Sequence, residues 1–353
     1  MIQRFLPGRS RGGAGHFAHG LAQALAARGH QVTMFSQDPA PPGARYAGVA
    51  VAGEAAGWRR KLQPLTFPVQ VARQRFDDFD LIHAQGDDQF IRRRVAPPIV
   101  RTLHGSSLLE AVHNGWRRGS PKLFLLHLFF YAGELLSTIR ADRVVAVSHH
   151  TGRFYPRLDD VVPNGVDIER FAPVSAQRSA RPSILFVGEV HSRKRGDLLT
   201  RVVARQVRPR VPDVRLWLVS PDRIDAPAAE WFGTVDDEQL AWLYREAWVL
   251  CLPSTYEGFG RPYVEALAAG AVAVATRNPG ALEVLGDGAY GLVVPDAELG
   301  DALVRALTDG ELRRHLVERG HARARTFDWE CVAEQYEAIY ERVLARRRSV
   351  RAA

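Results

Sequence analysis

Short apolar runs alternate along the chain with segments whose apolar residues are spaced three and four positions apart. Phe17, Leu21 and Leu25 have this helical spacing, and an apolar run over residues 31–36 follows them. The alternation continues to a run over residues 271–276 and the helical segments beyond it. Short apolar runs between helices are typical of parallel strands that are covered on both faces. The pattern therefore predicts an α/β protein with parallel sheets.

The length of the chain indicates two domains. Its 353 residues exceed one ordinary core and match two domains of about 150 to 180 residues each. The segment from residue 171 to residue 182 is polar and contains prolines, as interdomain linkers often do. We therefore predict a first domain over residues 1–170 and a second over residues 182–328.

A very apolar segment, residues 123–136, predicts a helix in the first domain. Its longest apolar run, Leu123 to Tyr131, is interrupted by His127 and falls short of the about 20 residues that span a bilayer. We expect this helix to be buried against the sheet, with a surface that touches a membrane as the alternative. Residues 1–6 lack the residue order of a signal peptide, so we expect a cytoplasmic protein.

The charge and the cysteine count narrow the chemistry only slightly. Lys and Arg number 47 against 39 Asp and Glu, a net charge of +8 that suits nucleic acid, anionic membranes or phosphorylated substrates without choosing among them. The two cysteines exclude a disulfide framework and a cysteine metal site. His16 and His19 lie one helical turn apart without a third ligand nearby, so we expect a surface helix and no metal.

The stretch that says most about function is PSTYEGFGRPYVEAL, residues 253–267. An apolar run precedes it and Pro262 opens a helical pattern, so it links a strand to a helix N-terminus. Glycine lets a ligand approach the backbone closely, and a helix N-terminus attracts phosphate. Glu257 and Glu265 flank this turn, where carboxylates are suited to accept hydrogen bonds from hydroxyls. Phosphate and hydroxyl contacts together predict a sugar nucleotide as the ligand.

Other strand ends carry further candidate residues. Arg193, Lys194 and Arg195 follow an apolar strand that ends at Gly188, and adjacent cations of this kind can neutralise a diphosphate. His104 follows the strand over residues 98–103, at the end of the strand where parallel α/β folds bind ligands.

The loop before the first helix admits two interpretations. Gly13, Gly15 and Ala18 imitate a dinucleotide-binding fingerprint, which would indicate a nicotinamide-dependent oxidoreductase. The turn is longer than that fingerprint requires, so we favour a basic, glycine-rich loop that closes over a diphosphate.

The order and spacing of these motifs resemble family 4 glycosyltransferases, a retaining group that uses nucleotide-activated sugars. The motifs that carry the resemblance are Gly12-Gly13-Ala14, Arg28-Gly29-His30, Thr102-Leu103-His104-Gly105, Ala146-Val147-Ser148, Pro163-Asn164-Gly165-Val166-Asp167, Val187-Gly188, Lys194, residues 253–267, residues 278–285 and Phe327-Asp328-Trp329. The resemblance implies the GT-B fold, in which two Rossmann-like parallel-sheet domains face each other across a cleft. It also implies that the C-terminal helix, residues 329–346, crosses back to the first domain.

The resemblance assigns roles to individual residues. The implied catalytic residues are His104 near the reacting carbon, Glu257 on the donor sugar hydroxyls and Lys194 on the diphosphate. The implied donor-binding residues are Gly12, Gly13, the backbone amides of Phe259 and Gly260, and Glu265 on the ribose. To these we add Arg193 as a candidate donor-binding residue, because it is a cation next to Lys194. No metal ion and no other cofactor is implied.

Two positions depart from the family pattern. Glu189 stands where the family usually has arginine, and we expect Arg193 or Arg195 to supply the missing charge. Gly15 stands where the related loop often has an acidic residue, so acceptor binding is expected to differ.

The sequence therefore predicts a retaining glycosyltransferase that moves a sugar from a nucleoside-diphosphate sugar to an unidentified hydroxyl acceptor. The alternatives are an epimerase or phosphorylase of the same fold, or a non-catalytic binding protein with a degenerate site at Glu189. The apolar helix leaves a lipid-linked acceptor open, and the basic residues leave a phosphorylated one open. We expect a cytoplasmic location with peripheral contact at the inner face of the membrane, and no nucleic-acid partner.

Overall fold

The computed structural model describes residues 1–7, 13–51, 58–91, 97–116, 119–173 and 178–352. The chain forms two compact units, Met1–Gly165 with Trp329–Ala353 and Val166–Asp328. Every strand pair in both units is parallel. The predicted α/β architecture with parallel sheets is thus confirmed.

The strands are β1 (Thr33–Ser36), β2 (Ala47–Ala50), β3 (Ile82–Ala84), β4 (Ile99–Leu103), β5 (Arg143–Ala146), β6 (Asp160–Val161), β7 (Ser183–Val187), β8 (Arg215–Val219), β9 (Ala229–Gly233), β10 (Val249–Leu252), β11 (Val272–Thr276) and β12 (Leu292–Val294). The α-helices are α1 (Gly13–Ala27), α2 (Trp58–Ala72), α3 (Ser107–Glu110), α4 (Pro121–Arg140), α5 (His149–Gly152), α6 (Ile168–Phe171), α7 (Gly196–Val202), α8 (Asp237–Glu246), α9 (Arg261–Ala269), α10 (Pro279–Val284), α11 (Leu299–Thr308), α12 (Gly310–Arg325) and α13 (Trp329–Ala352). Shorter π-helical segments span Ala111–Trp116 and Val203–Val207, and 3-10 turns span Gly286–Gly288 and Asp296–Glu298.

In the first unit, the sheet separates two apolar clusters. Strands β3, β4, β5 and β6 pair in that order, and Ile2 bridges Ala84 of β3 to Phe35 of β1. Successive side chains of a strand point to opposite faces, so Val144 joins one cluster and Val145 the other. The cluster around Val145 is closed by side chains of α1 and α13. The C-terminal helix therefore belongs to the core of the first unit.

The indole ring of Trp329, at the start of α13, packs closely against two glycines. A Cβ atom at Gly20 would lie 2.1 Å from the Trp329 ring, and one at Gly165 would lie 2.2 Å from it. Two separate segments of the first unit therefore approach the indole more closely than any side chain allows.

The expectation that the apolar helix is buried is wrong. Of the 20 residues of α4, only Ser137 and Thr138 are buried, whereas Leu125, Phe129 and Ile139 are 64%, 61% and 63% exposed. The α1 and α13 side chains cover one side of the sheet, and α4 packs onto the opposite cluster only through Tyr131 and Leu135.

The estimate of its length also needs correction. Helix α4 is the one described helix that is long and apolar enough to cross a membrane, by length and composition alone. The length of the uninterrupted apolar run underestimates the apolar character of α4. The mean hydropathy over the full helix remains high despite His127 and Glu134.

In the second unit, six strands pair in the order β12-β11-β10-β7-β8-β9. The chain proceeds outward from β7 through β8 to β9, and outward in the other direction from β10 through β11 to β12. Connections therefore diverge at the β7/β10 pair, and α/β folds bind ligands beyond the carboxyl ends of strands at such a point. The loops that follow β7 and β10 contain the cationic cluster and the glutamate motif.

Candidate functional site

The two loops at the switch point of the second unit lie side by side. The backbone N–H of Thr255, after β10, donates to the carbonyl of Arg193, after β7, at 2.9 Å. This contact brings together motifs that are about sixty positions apart in the sequence. The predicted cationic cluster and glutamate motif therefore form one site.

The glycine turn is held in a conformation that few other residues adopt. Gly260 has a φ of 91° and precedes α9, and a Cβ atom there would lie 2.5 Å from the ring of Tyr263. A Cβ atom at Gly280 would lie 2.8 Å from the Cβ of Glu257, so α10 packs directly against the same turn. The backbone of Phe259 and Gly260 is thereby fixed just ahead of the positive end of the α9 dipole.

Glu257 is buried and already paired. Its Oε1 accepts a hydrogen bond from the Ser254 hydroxyl at 2.8 Å, and its Oε2 lies 2.9 Å from a guanidinium nitrogen of Arg193. The Glu257 side chain is 7% exposed, and Arg193 also donates to the carbonyl of Tyr256. Arg193 therefore neutralises the glutamate and keeps both groups at the mouth of α9.

Glu265 lies one turn inside α9. Its side chain is 9% exposed and its Oε1 is 3.3 Å from Arg261, an i,i+4 pair on the same helix. This geometry agrees with the spacing argument that put one glutamate before the helix and the other within it.

Lys194 folds back over the end of β7. Its Nζ donates to the carbonyl of Val187 at 2.9 Å, and a Cβ atom at Gly188 would lie 2.2 Å from its Cδ. Burial lowers the pKa of Lys194, and the Glu257 and Glu265 carboxylates act against that shift. The amine thus lies within the electrostatic reach of both glutamates.

Of the two arginines expected to compensate for Glu189, only Arg193 lies at the glutamate motif. The Glu189 side chain is exposed. Arg195 is engaged by Asp296, with nitrogen–oxygen distances of 2.5 and 2.8 Å, and its Nε donates to the carbonyl of Pro253. Of the two candidate cations, Arg193 is the one at Glu257.

His104 follows β4 in the first unit. Its ring packs edge-on against Phe17 at 4.8 Å between centroids, and its Nε2 lies 2.7 Å from the Oε1 of Gln85. Burial, with a smaller effect of the Arg101 charge, lowers the pKa of His104 to about 3. The imidazole is therefore neutral at physiological pH.

The remaining predicted positions belong to the glycine-rich loop. Gly13 is the first residue of α1, and nothing lies within 4 Å of the position of a Cβ atom there. Gly12 lies outside the described residues. Within the described ranges, no three His, Cys, Asp or Glu side chains are grouped to hold a metal ion.

Comparison with known proteins connects the two units to one family. A family model described as Glycosyltransferase Family 4 matches residues 11–170, and one described as Glycosyl transferases group 1 matches residues 181–309. The phosphatidyl-myo-inositol mannosyltransferase of Mycobacterium tuberculosis (strain ATCC 25618 / H37Rv) is 30% identical over 92% of this chain and 91% of its own length. The chain belongs to glycosyltransferase family 4.

A second relative agrees with this assignment, and two solved structures share the fold. The D-inositol 3-phosphate glycosyltransferase of Segniliparus rotundus is 31% identical over 72% of the chain and 63% of its own length. Sucrose-phosphate synthase from Thermosynechococcus elongatus superposes with a TM-score of 0.74, 23% identity and coverage of 95% of this chain and 94% of that one. Anabaena Alr3699/HepE superposes with a TM-score of 0.74, 18% identity and coverage of 96% and 98%. The predicted GT-B fold is confirmed, and glycosyltransferase membership rules against the oxidoreductase interpretation.

Sequence reasoning missed one residue next to the predicted site of this family 4 enzyme. Gln85 follows β3, the strand that pairs with β4, so its side chain reaches His104 from the neighbouring strand end. Its position just beyond a buried parallel strand was the only available signal.

Proposed function

We propose that this glycosyltransferase takes its sugar from a nucleoside-diphosphate sugar and transfers it to a hydroxyl acceptor with retention of anomeric configuration. The observation that supports this best is the grouping of half-buried Lys194 with buried Glu257 and Glu265 at the N-terminus of α9. The cation and the helix N-terminus suit a diphosphate, and the carboxylates suit sugar hydroxyls. Anabaena Alr3699/HepE, which shares the fold, is known in complex with UDP-glucose.

The electrostatics of the site suit departure of a nucleoside diphosphate. As the bond to the anomeric carbon breaks, negative charge develops on the leaving phosphate, and preorganised positive groups lower the barrier most effectively. Lys194, the amides at Phe259 and Gly260 and the α9 dipole would act on that phosphate. Retention then follows if the acceptor attacks from the face that the phosphate leaves, and a phosphate oxygen takes the acceptor proton.

Glu257 is unsuited to act as a nucleophile in this scheme. One of its oxygens accepts from Ser254 and the other pairs with Arg193, so its charge is neutralised and its nucleophilicity reduced, while each oxygen keeps one acceptor site for a hydroxyl. We assign it to holding the sugar hydroxyls, and we assign His104, as a neutral imidazole, to a contact near the reacting carbon.

The first test measures binding and turnover in three variants. Thermal shift with UDP, GDP, ADP and dTDP identifies the base, and turnover is then followed with sugars of that nucleotide. Lys194→Ala and Glu257→Ala should each lower turnover at least roughly tenfold, about 1.4 kcal/mol. Arg314→Ala removes an exposed positive charge from α12 of the same unit and should behave as wild type. Wild-type turnover in Lys194→Ala or Glu257→Ala refutes the assignment, and conversion of the donor without an acceptor would indicate an epimerase.

The acceptor is proposed to be a lipid whose headgroup offers the hydroxyl, used at the inner face of the membrane. The observation that favours this is an exposed apolar stripe on α4, formed by Leu125, Phe129, Leu136 and Ile139. Successive members are four, seven and three residues apart, which places them on one face of the helix. The stripe is about 21 Å long at 1.5 Å per residue. The mycobacterial relative described above is named as a phosphatidyl-myo-inositol mannosyltransferase.

The charges on α4 favour an anionic bilayer as the occupant of this face. Exposed Lys122 and Arg140 stand at the two ends of the helix. Its one carboxylate, Glu134, is turned to the protein, where it accepts from the Ser107 hydroxyl at 2.6 Å and the Tyr155 hydroxyl at 2.7 Å. Tyr131 also bonds the Phe154 carbonyl, so α4 is anchored along its other face. We therefore assign α4 to lie on the membrane surface.

Vesicle flotation tests this assignment. The double variant Leu125→Asp with Phe129→Asp should lose binding to vesicles of phosphatidylcholine and phosphatidylglycerol. Trp242→Asp, at an exposed aromatic of the second unit, should retain it. If the double variant still binds the vesicles, the assignment is refuted. It is also refuted if light scattering shows that the wild type is a dimer and the double variant a monomer, because the stripe would then be a dimer interface.

A further inference from the structure

A chain of hydrogen bonds, buried except at its last link, connects the C-terminal helix to His104. Tyr340 of α13 lies 2.7 Å from Nδ1 of His83, and Nε2 of His83 lies 3.0 Å from the amide nitrogen of Gln85. The Gln85 amide oxygen lies 2.7 Å from Nε2 of His104. Thr102 joins from the side, with its hydroxyl 2.7 Å from Nε2 of His83 and 2.9 Å from the Tyr336 hydroxyl.

Burial favours the neutral form of each titratable group in this chain of hydrogen bonds. Burial lowers the pKa of both His83 and His104, so each ring is neutral and carries a single N–H. Burial raises the pKa of Tyr336 and Tyr340, so both phenols keep their protons. The direction of every hydrogen bond therefore depends on which nitrogen of each ring holds its proton.

The side-chain amide of Gln85 couples the tautomer of His83 to the tautomer of His104. Its NH₂ group faces Nε2 of His83, so in this arrangement Nε2 holds the lone pair, which the amide shares with the Thr102 hydroxyl. The His83 proton is then on Nδ1 and is donated to the Tyr340 hydroxyl. The Gln85 oxygen faces His104, whose proton is then on Nε2, and Nδ1 of His104 is left as an acceptor.

The opposite choice at His83 would reverse the whole chain. With a proton on Nε2 of His83, the amide would have to rotate and present its oxygen to that proton. Its NH₂ group would then face His104, which would need a lone pair on Nε2 and a proton on Nδ1. A primary amide has one donor end and one acceptor end, so it transmits the tautomer of one ring to the other.

We propose that Gln85, His83 and Tyr340 are positioning residues that set the tautomer of His104, with Tyr340 acting from a helix 257 positions beyond His83. The proposal rests on the proposed role of His104 beside the donor sugar. In this arrangement His104 presents a neutral Nδ1 acceptor at the end of β4, which suits a contact with a substrate hydroxyl.

The chain offers a matched control for the phenol of Tyr340. Tyr336 stands one turn earlier on α13, is also buried and also makes a hydrogen bond in this cluster. Its hydroxyl serves Thr102 and is not an obligatory partner of either imidazole. Tyr340→Phe therefore removes the acceptor for the His83 N–H, whereas Tyr336→Phe removes a hydroxyl of the same size and burial without doing so.

Long-range ¹H–¹⁵N correlation spectra of the full chain labelled with ¹⁵N-histidine test the proposal directly, with His104→Asn to assign the resonance. Wild type and Tyr336→Phe should show His104 protonated at Nε2. Tyr340→Phe should move the His104 proton wholly or partly to Nδ1. An unchanged His104 tautomer in Tyr340→Phe, or the same change in Tyr336→Phe, overturns the proposal.

Kinetics with Gln85→Leu separate this relay from general packing and provide a second variant if Tyr340→Phe is unstable. Gln85→Leu cuts the chain, so adding Tyr340→Phe to it should cause no further change in the His104 spectrum or in kcat. Each single variant should lower kcat roughly tenfold at unchanged donor KM, and Tyr336→Phe should not. Additive losses of kcat in the double variant overturn the relay. A tautomer change without loss of kcat supports the relay and refutes the proposed role of His104.

Discussion

Replacement of Gly188 by alanine tests the proposed diphosphate site at Lys194. Gly188 ends β7 with a φ of 140°, a region that side chains with a Cβ atom rarely enter. The added Cβ would also lie 2.2 Å from Cδ of Lys194 and 3.0 Å from its Nζ. The Lys194 side chain must leave its place on the Val187 carbonyl to make room.

Two separable effects follow from this substitution. The backbone strain should lower the free energy of unfolding of the second unit by about 1 to 3 kcal/mol. The displaced amine should weaken binding of the nucleoside diphosphate roughly tenfold, about 1.4 kcal/mol, because Lys194 is the cation that interacts electrostatically with Glu257 and Glu265.

Isothermal titration calorimetry with the matching nucleoside diphosphate measures the second effect, and chemical unfolding measures the first. Gly288→Ala is the matched control, because Gly288 has a φ of 100° and nothing within 4 Å of the Cβ position. It should lose stability and keep its affinity. If Gly188→Ala is destabilised to the same extent and still binds the nucleotide as wild type does, Lys194 does not hold the diphosphate.

Further predictions concern the first unit. The pKa of His104 is about 3 in the folded protein against 6.5 for an ordinary histidine, so the unfolded chain binds the proton first as pH falls. The resulting stabilisation is complete above about pH 6.5 and is lost toward pH 3, by at most about 1.4 kcal/mol per pH unit. Urea unfolding at pH 7.5 and pH 5 should show the loss, and His104→Asn should reduce it. An equal pH dependence in that variant would contradict the burial argument. Gly165→Ala places a Cβ 2.2 Å from Trp329 and should cost about 1 to 3 kcal/mol. Thermal unfolding measures that loss, with Gly43→Ala as a positive-φ control in open space. A smaller loss for Gly165→Ala than for Gly43→Ala would mean that the indole is not held there.

The sequence alone determined the features that depend on neighbouring residues. The turn at Gly260 and the helix that starts beside Pro262 follow from local backbone preferences, so the glutamate motif could be read without a structure. The alternation of strands and helices likewise determined the parallel α/β class. A common strand-end rule also put the cationic cluster and the motif at the same edge of one sheet.

The tertiary structure decided the features that depend on contacts between residues far apart in the sequence. An apolar helix has the same pattern whether its face is buried or exposed, and only the packing of α1 and α13 on the first sheet showed that α4 keeps its stripe outside. The pairing of Arg193 with Glu257, and of Arg195 with Asp296, required the folded positions of three loops. The hydrogen bonds from Tyr340 through His83 to His104 join distant segments, and no local periodicity encodes them. Local sequence determined which groups are candidates for the site, and long-range packing determined the partners with which each of them pairs.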